Sequence, residues 1–150
     1  MKHIAILSSL FVLTVGLVRP AQARDIKHVL DLKAALESSE AKGKVDAAIK
    51  FYFSRENPPQ ANEKIRTETA RGRAHANRGA VEAMCNEAFL SAMIQLQRSA
   101  KQRGANGVIN IVSAFQNHPK LSSVSQFECY QGARTISVWL RGDIVKLVDK

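Results

Sequence analysis

Two cysteines, the histidines at positions 28, 75 and 118, and a run of cations between Lys64 and Arg78 are the side chains that could do chemistry in this chain. Cys85 and Cys129 have three options: a disulfide, a nucleophilic thiol, or metal ligation. Reactive thiols need an electropositive, partly exposed setting, and neither cysteine has the CxxC neighbour that eases exchange. No two of His28, His75 and His118 lie two or four residues apart, so a metal site would have to be assembled across the fold from His75, His118 and a carboxylate such as Glu128. Lys64, Arg66, Arg71, Arg73 and Arg78 outnumber Glu63 and Glu68 and form the best candidate polyanion-binding surface. The same residues suit an edge strand charged against edge-to-edge pairing. They lack the interleaved aromatics of a nucleic-acid reader, so no sequence-specific nucleic acid is expected.

Other chemistries lack their residues. No GxSxG, HExxH or paired-carboxylate pattern occurs. Gly43-Lys44 is followed by Val45 instead of Ser or Thr, and Ser38 stands where a P-loop places its first glycine, so nucleotide hydrolysis is excluded. No cofactor is implied.

The elements that must position these residues are legible in the periodicity. Cys85, Phe89, Ala92, Met93, Leu96 and Ala100 share one helical face, with Glu87, Gln95, Arg98 and Lys101 on the wet side. Gly104 is placed to stop this helix near Arg103 as a left-handed residue. Val108, Ile109, Ile111 and Val112 then read as a strand covered on both faces, with Asn106 and Gly107 in the turn before it. Upstream, a short helix is expected over Asp31 to Ala41 with Gly43 as its stop, and a strand over Ala47 to Phe53. Ser54 to Asn62 is a loop, and Glu63 to Arg78 an edge strand passing into a basic loop. Downstream, Phe127 and Cys129 share one face of a strand, with Glu128 and Tyr130 opposite. Ile136, Val138 and Leu140 point inward from the next, until Gly142-Asp143 breaks it and Val145 to Val148 adds a final short strand. Strands this closely spaced favour antiparallel pairing. The expectation is an α+β domain, an antiparallel sheet of four to six strands packed on one long amphipathic helix.

The first 23 residues read as a secretory signal peptide. Lys2 and His3 precede an apolar run from Ile4 to Val18, and Ala21-Gln22-Ala23 is a small-x-small cleavage site. The run is too short for a membrane anchor and is closed by Arg19 and Pro20. The mature chain then begins at Arg24 and forms a single domain over 24–150, periplasmic or secreted. Its balance is 20 basic against 13 acidic groups, formally +7, which attracts polyanions without identifying one. In an oxidising compartment the two core-facing cysteines are expected to pair. Closing a loop of ~45 residues stabilises by about 4 kcal/mol on the chain-entropy account.

The run Cys85-Asn86, Ala88 to Met93, Ala100 to Asn106 and Val108 to Ile111 resembles small exported bacterial proteins of the YbjQ-like and RcsF-like fold. Phe51-Tyr52-Phe53, Glu128-Cys129, Gly132-Ala133 and Leu140 to Asp143 extend the likeness over most of the chain. Such proteins often carry the name of the ABC excinuclease or of its ATPase component. With neither a P-loop nor zinc-type CxxC pairs, that activity is not expected here. The broader YbjQ-like family is called heavy-metal-binding, and its cytoplasmic members resemble ring oligomers, so a homo-oligomer is one implied state. Where relatives read Glu-Cys-His-Ala-Gly-Ala, this chain has Tyr130 and Gln131, and a histidine beside Cys129 is missing. The lipid-bearing cysteine of the RcsF-like proteins has no counterpart.

The functional expectation is a non-enzymatic, exported binding or envelope-associated module, its partner an anionic envelope component or a protein. The alternatives are a metal-handling protein and, third, a cysteine-dependent enzyme. Intact mass of the exported protein, taken with and without reductant, is expected to start at Arg24 and to lie two hydrogens below the reduced chain. Two free thiols or a bound metal would overturn the pairing.

Overall fold

The computed structural model describes residues 25–148 apart from 39, 40, 42, 55, 77, 78 and 117; the expected signal peptide, Arg24 and Arg78 lie outside them. Eight elements follow in order: β1 (Ile26–Asp31), α1 (Leu32–Glu37), β2 (Lys50–Phe53), β3 (Ala61–His75), α2 (Val81–Gln102), β4 (Gly107–Ser113), β5 (Gln126–Gln131) and β6 (Thr135–Leu147).

The long helix forms where the apolar stripe placed it. Cys85, Phe89, Ala92, Met93, Leu96 and Ala100 are all buried. Its first residue follows Ala80, which makes no side-chain cap, and this is why no start signal is visible in the sequence. Its end is fully capped: Gly104 has φ +65°, its N–H donates to the Lys101 carbonyl, and the Ala105 N–H donates to the Ala100 carbonyl. This pair of bonds is the Schellman arrangement.

β6 is the strand on which the sheet is assembled. Along one edge it pairs antiparallel with β3 over nearly its whole length. Along the other, β4 takes the stretch from Leu140 to Val145 and β5 takes Ile136 and Ser137, so β4 and β5 lie end to end. β1 continues the sheet beyond β5, and β2 beyond β4. Helix α2 covers one face, tied to β5 by the Cys85–Cys129 disulfide, with the Cα atoms 5.8 Å apart. Neither cysteine has exposed surface. Beside them Phe89 packs on Phe127 at 4.5 Å and on Phe53 at 6.2 Å between ring centres.

Several local expectations are corrected. The sheet is mixed, because β2 runs parallel to β4; the whole of β3 and α2 lies between them, ample for a crossover. The strand expected from Ala47 begins only at Lys50. Asp46 folds the preceding residues into a turn, its carboxylate accepting from the Ala48 N–H at 2.8 Å and its carbonyl from the Ile49 N–H. The first helix ends at Glu37, short of Ala41. β3 stays a strand through His75 instead of loosening into a basic loop. β6 passes unbroken through Gly142-Asp143, so Val145 to Val148 is no separate strand.

The last two corrections share a cause. Glycine in these strands provides space and does not mark a break. A Cβ on Gly142 would lie 2.7 Å from Val108 and 3.1 Å from Ile111 side-chain carbons. A Cβ on Gly72 would lie 1.6 Å from the Ala88 carbonyl oxygen of α2. With Ala70 and Ala74 on the same side of β3, Gly72 lets the helix backbone settle directly on the strand. β4 also departs from simple alternation. Asn110 has φ +54°, and the register shifts there so that Val108 and Ile111 both enter the core while Ile109 and Val112 stay partly exposed. The cover expected on both faces of β4 is therefore complete on one face only.

Gly72→Ala is expected to destabilise the protein by about 3 kcal/mol or more, the upper end for overpacking, because the obstruction is backbone and cannot rotate away. Urea unfolding measures it; a loss below about 1 kcal/mol would show that α2 is free to lift off β3.

Candidate binding site

The sheet face turned away from α2 holds most of the polar chemistry. Strand alternation puts Arg71 and Arg73 of β3, Ser137, Trp139, Arg141 and Asp143 of β6, and Glu128 and Tyr130 of β5 on that side. Phe115 folds over it from the loop after β4 and stacks on Tyr130, ring centres 3.7 Å apart. Trp139 meets Phe115 edge-on at 6.2 Å. The Arg71 guanidinium lies 4.9 Å above the Trp139 ring and donates to the Ser137 hydroxyl at 3.0 Å. Burial, then neighbouring Arg73, lower the Arg71 pKa, with Asp25 acting against them. An arginine stays charged regardless. The Arg71 Nε and the Trp139 Nε1 are buried without hydrogen-bond partners. The stacked pair thus keeps its polar atoms shielded at the cost of two unmade bonds.

The two acids set into this face are already engaged. Glu128, buried, takes Lys27 at 3.1 Å and the Tyr130 hydroxyl at 3.0 Å, while its own N–H donates to Ser113. Asp143 accepts from Thr67 at 2.6 Å, Lys64 at 2.9 Å and Asn110 at 3.1 Å. Burial alone would raise the Asp143 pKa, but the hydrogen bonds from Thr67, Lys64 and Asn110 outweigh it and hold the carboxyl below its ordinary value. The left-handed Asn110 that bends β4 is thus also the residue that completes the shell around Asp143. Next to it, Lys120 and Arg141 line a polar depression of about 390 Å³ with Lys64 and Asp143.

The cations singled out in the sequence do not form one patch. Lys64 is tied to Asp143. Arg66 sits 3.3 Å from Glu68, a carboxylate that also accepts from Ser99 of α2, so it belongs to the helix side. Arg71 is laid on Trp139, Arg73 is exposed, and Arg78 is outside the described residues. A β-strand sends neighbours to opposite faces, and the register shift between Lys64 and Arg66 moves the alternation by one. Arg141 and Lys120 were missed as binding residues: the outward placement of Arg141 was legible, but its distance in sequence from the β3 cations hid the association.

The histidines likewise stay apart in role. His75 ends β3 opposite Thr135, while the His118 ring packs against Phe115 at 5.3 Å and Tyr130 at 5.5 Å. Among the described residues no three of His, Cys, Asp or Glu come together to hold a metal. Both cysteines are bonded, so neither presents a thiol.

Tyr130 provides a titration handle on this face. Burial first, then its bond to the Glu128 carboxylate, push its phenol above the ordinary value. In the unfolded chain the phenol ionises near 10. Its contribution to stability is therefore complete below about pH 10 and lost as pH rises toward the folded-state value. Above about pH 10 this one group contributes a fall of up to about 1.4 kcal/mol per pH unit, which Tyr130→Phe is expected to remove. Urea unfolding of both proteins across that window checks it, and equal slopes would assign the alkaline loss elsewhere. The chain matches no protein-family model, and no curated protein matches it.

Proposed function

We propose that this protein is an exported, non-enzymatic binding module that holds phosphate-bearing groups of the cell envelope on the sheet face turned away from α2. One observation carries the reading. Glu128 and Asp143 are consumed by Lys27, Tyr130, Lys64, Thr67 and Asn110, which leaves Arg71, Arg73, Arg141 and Lys120 with no ion pair among the described residues. Exposed Asp25 is the carboxylate that acts on Arg71. A face whose two inset acids are already paired and whose arginines outnumber the acid left beside them attracts anions over a long range. The formal +7 of the chain from Arg24 onward supports the same sign of partner.

Export is supported by the bonded cysteines, since disulfides persist in oxidising compartments. Among the described residues no helix is long and apolar enough to cross a membrane. The order of α2, Gly104 and β4 supports kinship with the YbjQ-like and RcsF-like exported proteins. A metal-handling role finds no donor group of three among the described residues, and a cysteine-dependent enzyme would need the thiol that the disulfide consumes.

Vesicles containing phosphatidylglycerol test the reading against vesicles of phosphatidylcholine. Each cation near an anionic surface contributes about 1 kcal/mol, so the double variant Arg73→Ala, Arg141→Ala is expected to bind anionic vesicles about thirtyfold more weakly. Binding should also fall with added salt. Competition by inorganic polyphosphate would make the phosphate group itself the ligand; its failure beside intact vesicle binding would make the lipid surface the source. Equal binding to both vesicle types, or an unchanged double variant, overturns the proposal.

A further inference from the structure

On the opposite side of the sheet, a cleft of about 390 Å³ opens between α1, β2 and α2. Its walls are Leu32 and Leu36 of α1, Phe51 and Phe53 of β2, and Met93 of α2, with Val45 and Val124 from the loops. Leu36 and Val124 are among the few large apolar side chains left substantially exposed, at 38% and 48%. Two charged residues also line it. Glu56 turns its carboxylate onto the Phe53 backbone N–H, which fixes it to the chain. Lys33 is the less committed: its side chain is 81% exposed, and among the described residues it pairs with Glu37 alone, at 3.8 Å, a solvent-exposed contact of little strength.

We propose that this cleft binds the hydrocarbon chain of a single-chain anionic amphiphile, a fatty acid or its close equivalent, with the head group at Lys33. The volume falls within the range of small-molecule sites, about 300–1,000 Å³. The apolar side chains that form the walls offer no hydrogen bonds, so the part that enters must be hydrocarbon. The available cation at the mouth sets the charge of the part that stays outside. A second copy of the chain is a poorer fit, since a stable dimer buries about 800 Å² on each partner and this apolar surface is concave and small. The site is independent of the cationic face, and the two can fail separately.

Titration calorimetry with dodecanoate below its micelle concentration tests it. One molecule is expected per chain, with affinity rising about fourfold per methylene between octanoate and dodecanoate. Val124→Glu, at an exposed position where folding is not at stake, is expected to weaken dodecanoate about tenfold, and Leu36→Gln to weaken it in the same direction. Lys33→Glu should weaken dodecanoate while sparing dodecyltrimethylammonium, which shares the tail and reverses the head charge. The Arg73→Ala, Arg141→Ala variant should bind as the unaltered protein does. Absence of saturable binding, equal affinity in the Val124 and Leu36 variants, or indifference to head charge each overturns the proposal. So does a concentration-dependent dimer in sedimentation that Val124→Glu dissolves, which would make the occupant a second copy.

Discussion

The contact between the backbone of α2 and strand β3 is the constraint on which the rest of the structure depends. At Gly72 the strand passes so close to the Ala88 carbonyl that a single added carbon would overlap it. Ala70 and Ala74 keep the neighbouring positions low. Close seating brings the helix stripe onto Ile136, Val138 and Leu140 of β6, and sets Cys85 within bonding reach of Cys129 on β5. The disulfide then restrains the unfolded chain across 44 residues of separation, which matters in a domain this small. Ser99 of α2 and Arg103 at its cap reach Glu68 of β3, so polar groups lock the C-terminal half of the same contact.

Once one face of the sheet is committed to α2, strand alternation decides what the other face carries. The inward positions from Ala70 to Ala74 of β3 and from Ile136 to Leu140 of β6 are alanine, glycine and branched aliphatics; outward positions are Arg71, Arg73, Trp139 and Arg141. The polar face is ordered in its own right. Phe115 and Tyr130 stack on it, Arg71 lies on Trp139, and Ser137 holds the guanidinium. A cation held in this way loses less freedom when it meets an anion than a lysine on a flexible stem does.

The distribution of acids has an equally plain origin. Glu128 and Asp143 occupy outward positions and yet their side chains are largely buried, so each is satisfied from within the protein. Lys27 comes from β1, Lys64 and Thr67 from β3, Asn110 from the bend in β4, and Tyr130 from two residues along the same strand. These bonds remove both acids from the surface balance and leave Arg71, Arg73 and Arg141, which have no ion pair among the described residues, to set its sign.

The long helix, its stop at Gly104, the strand after it, the inward sets on β5 and β6 and the pairing of two core-facing cysteines were determined by the sequence alone. Each rests on a local periodicity or on residue chemistry that needs no knowledge of neighbours. Only the tertiary structure decided that β2 runs parallel to β4, because direction depends on where the intervening β3 and α2 carry the chain. It alone decided that Gly72 and Gly142 lie within strands, since a glycine's role as a break or as space is set by the atom opposite it. The basic run from Lys64 to Arg73 was legible as charge and not as a surface. A register shift in β3 and the reach of Asp143 and Glu68 divided it between two faces, while Arg141 and Lys120, remote in the chain, came to stand beside its outward members. Charge is a property of residues, whereas a binding face is a property of the register that brings them together.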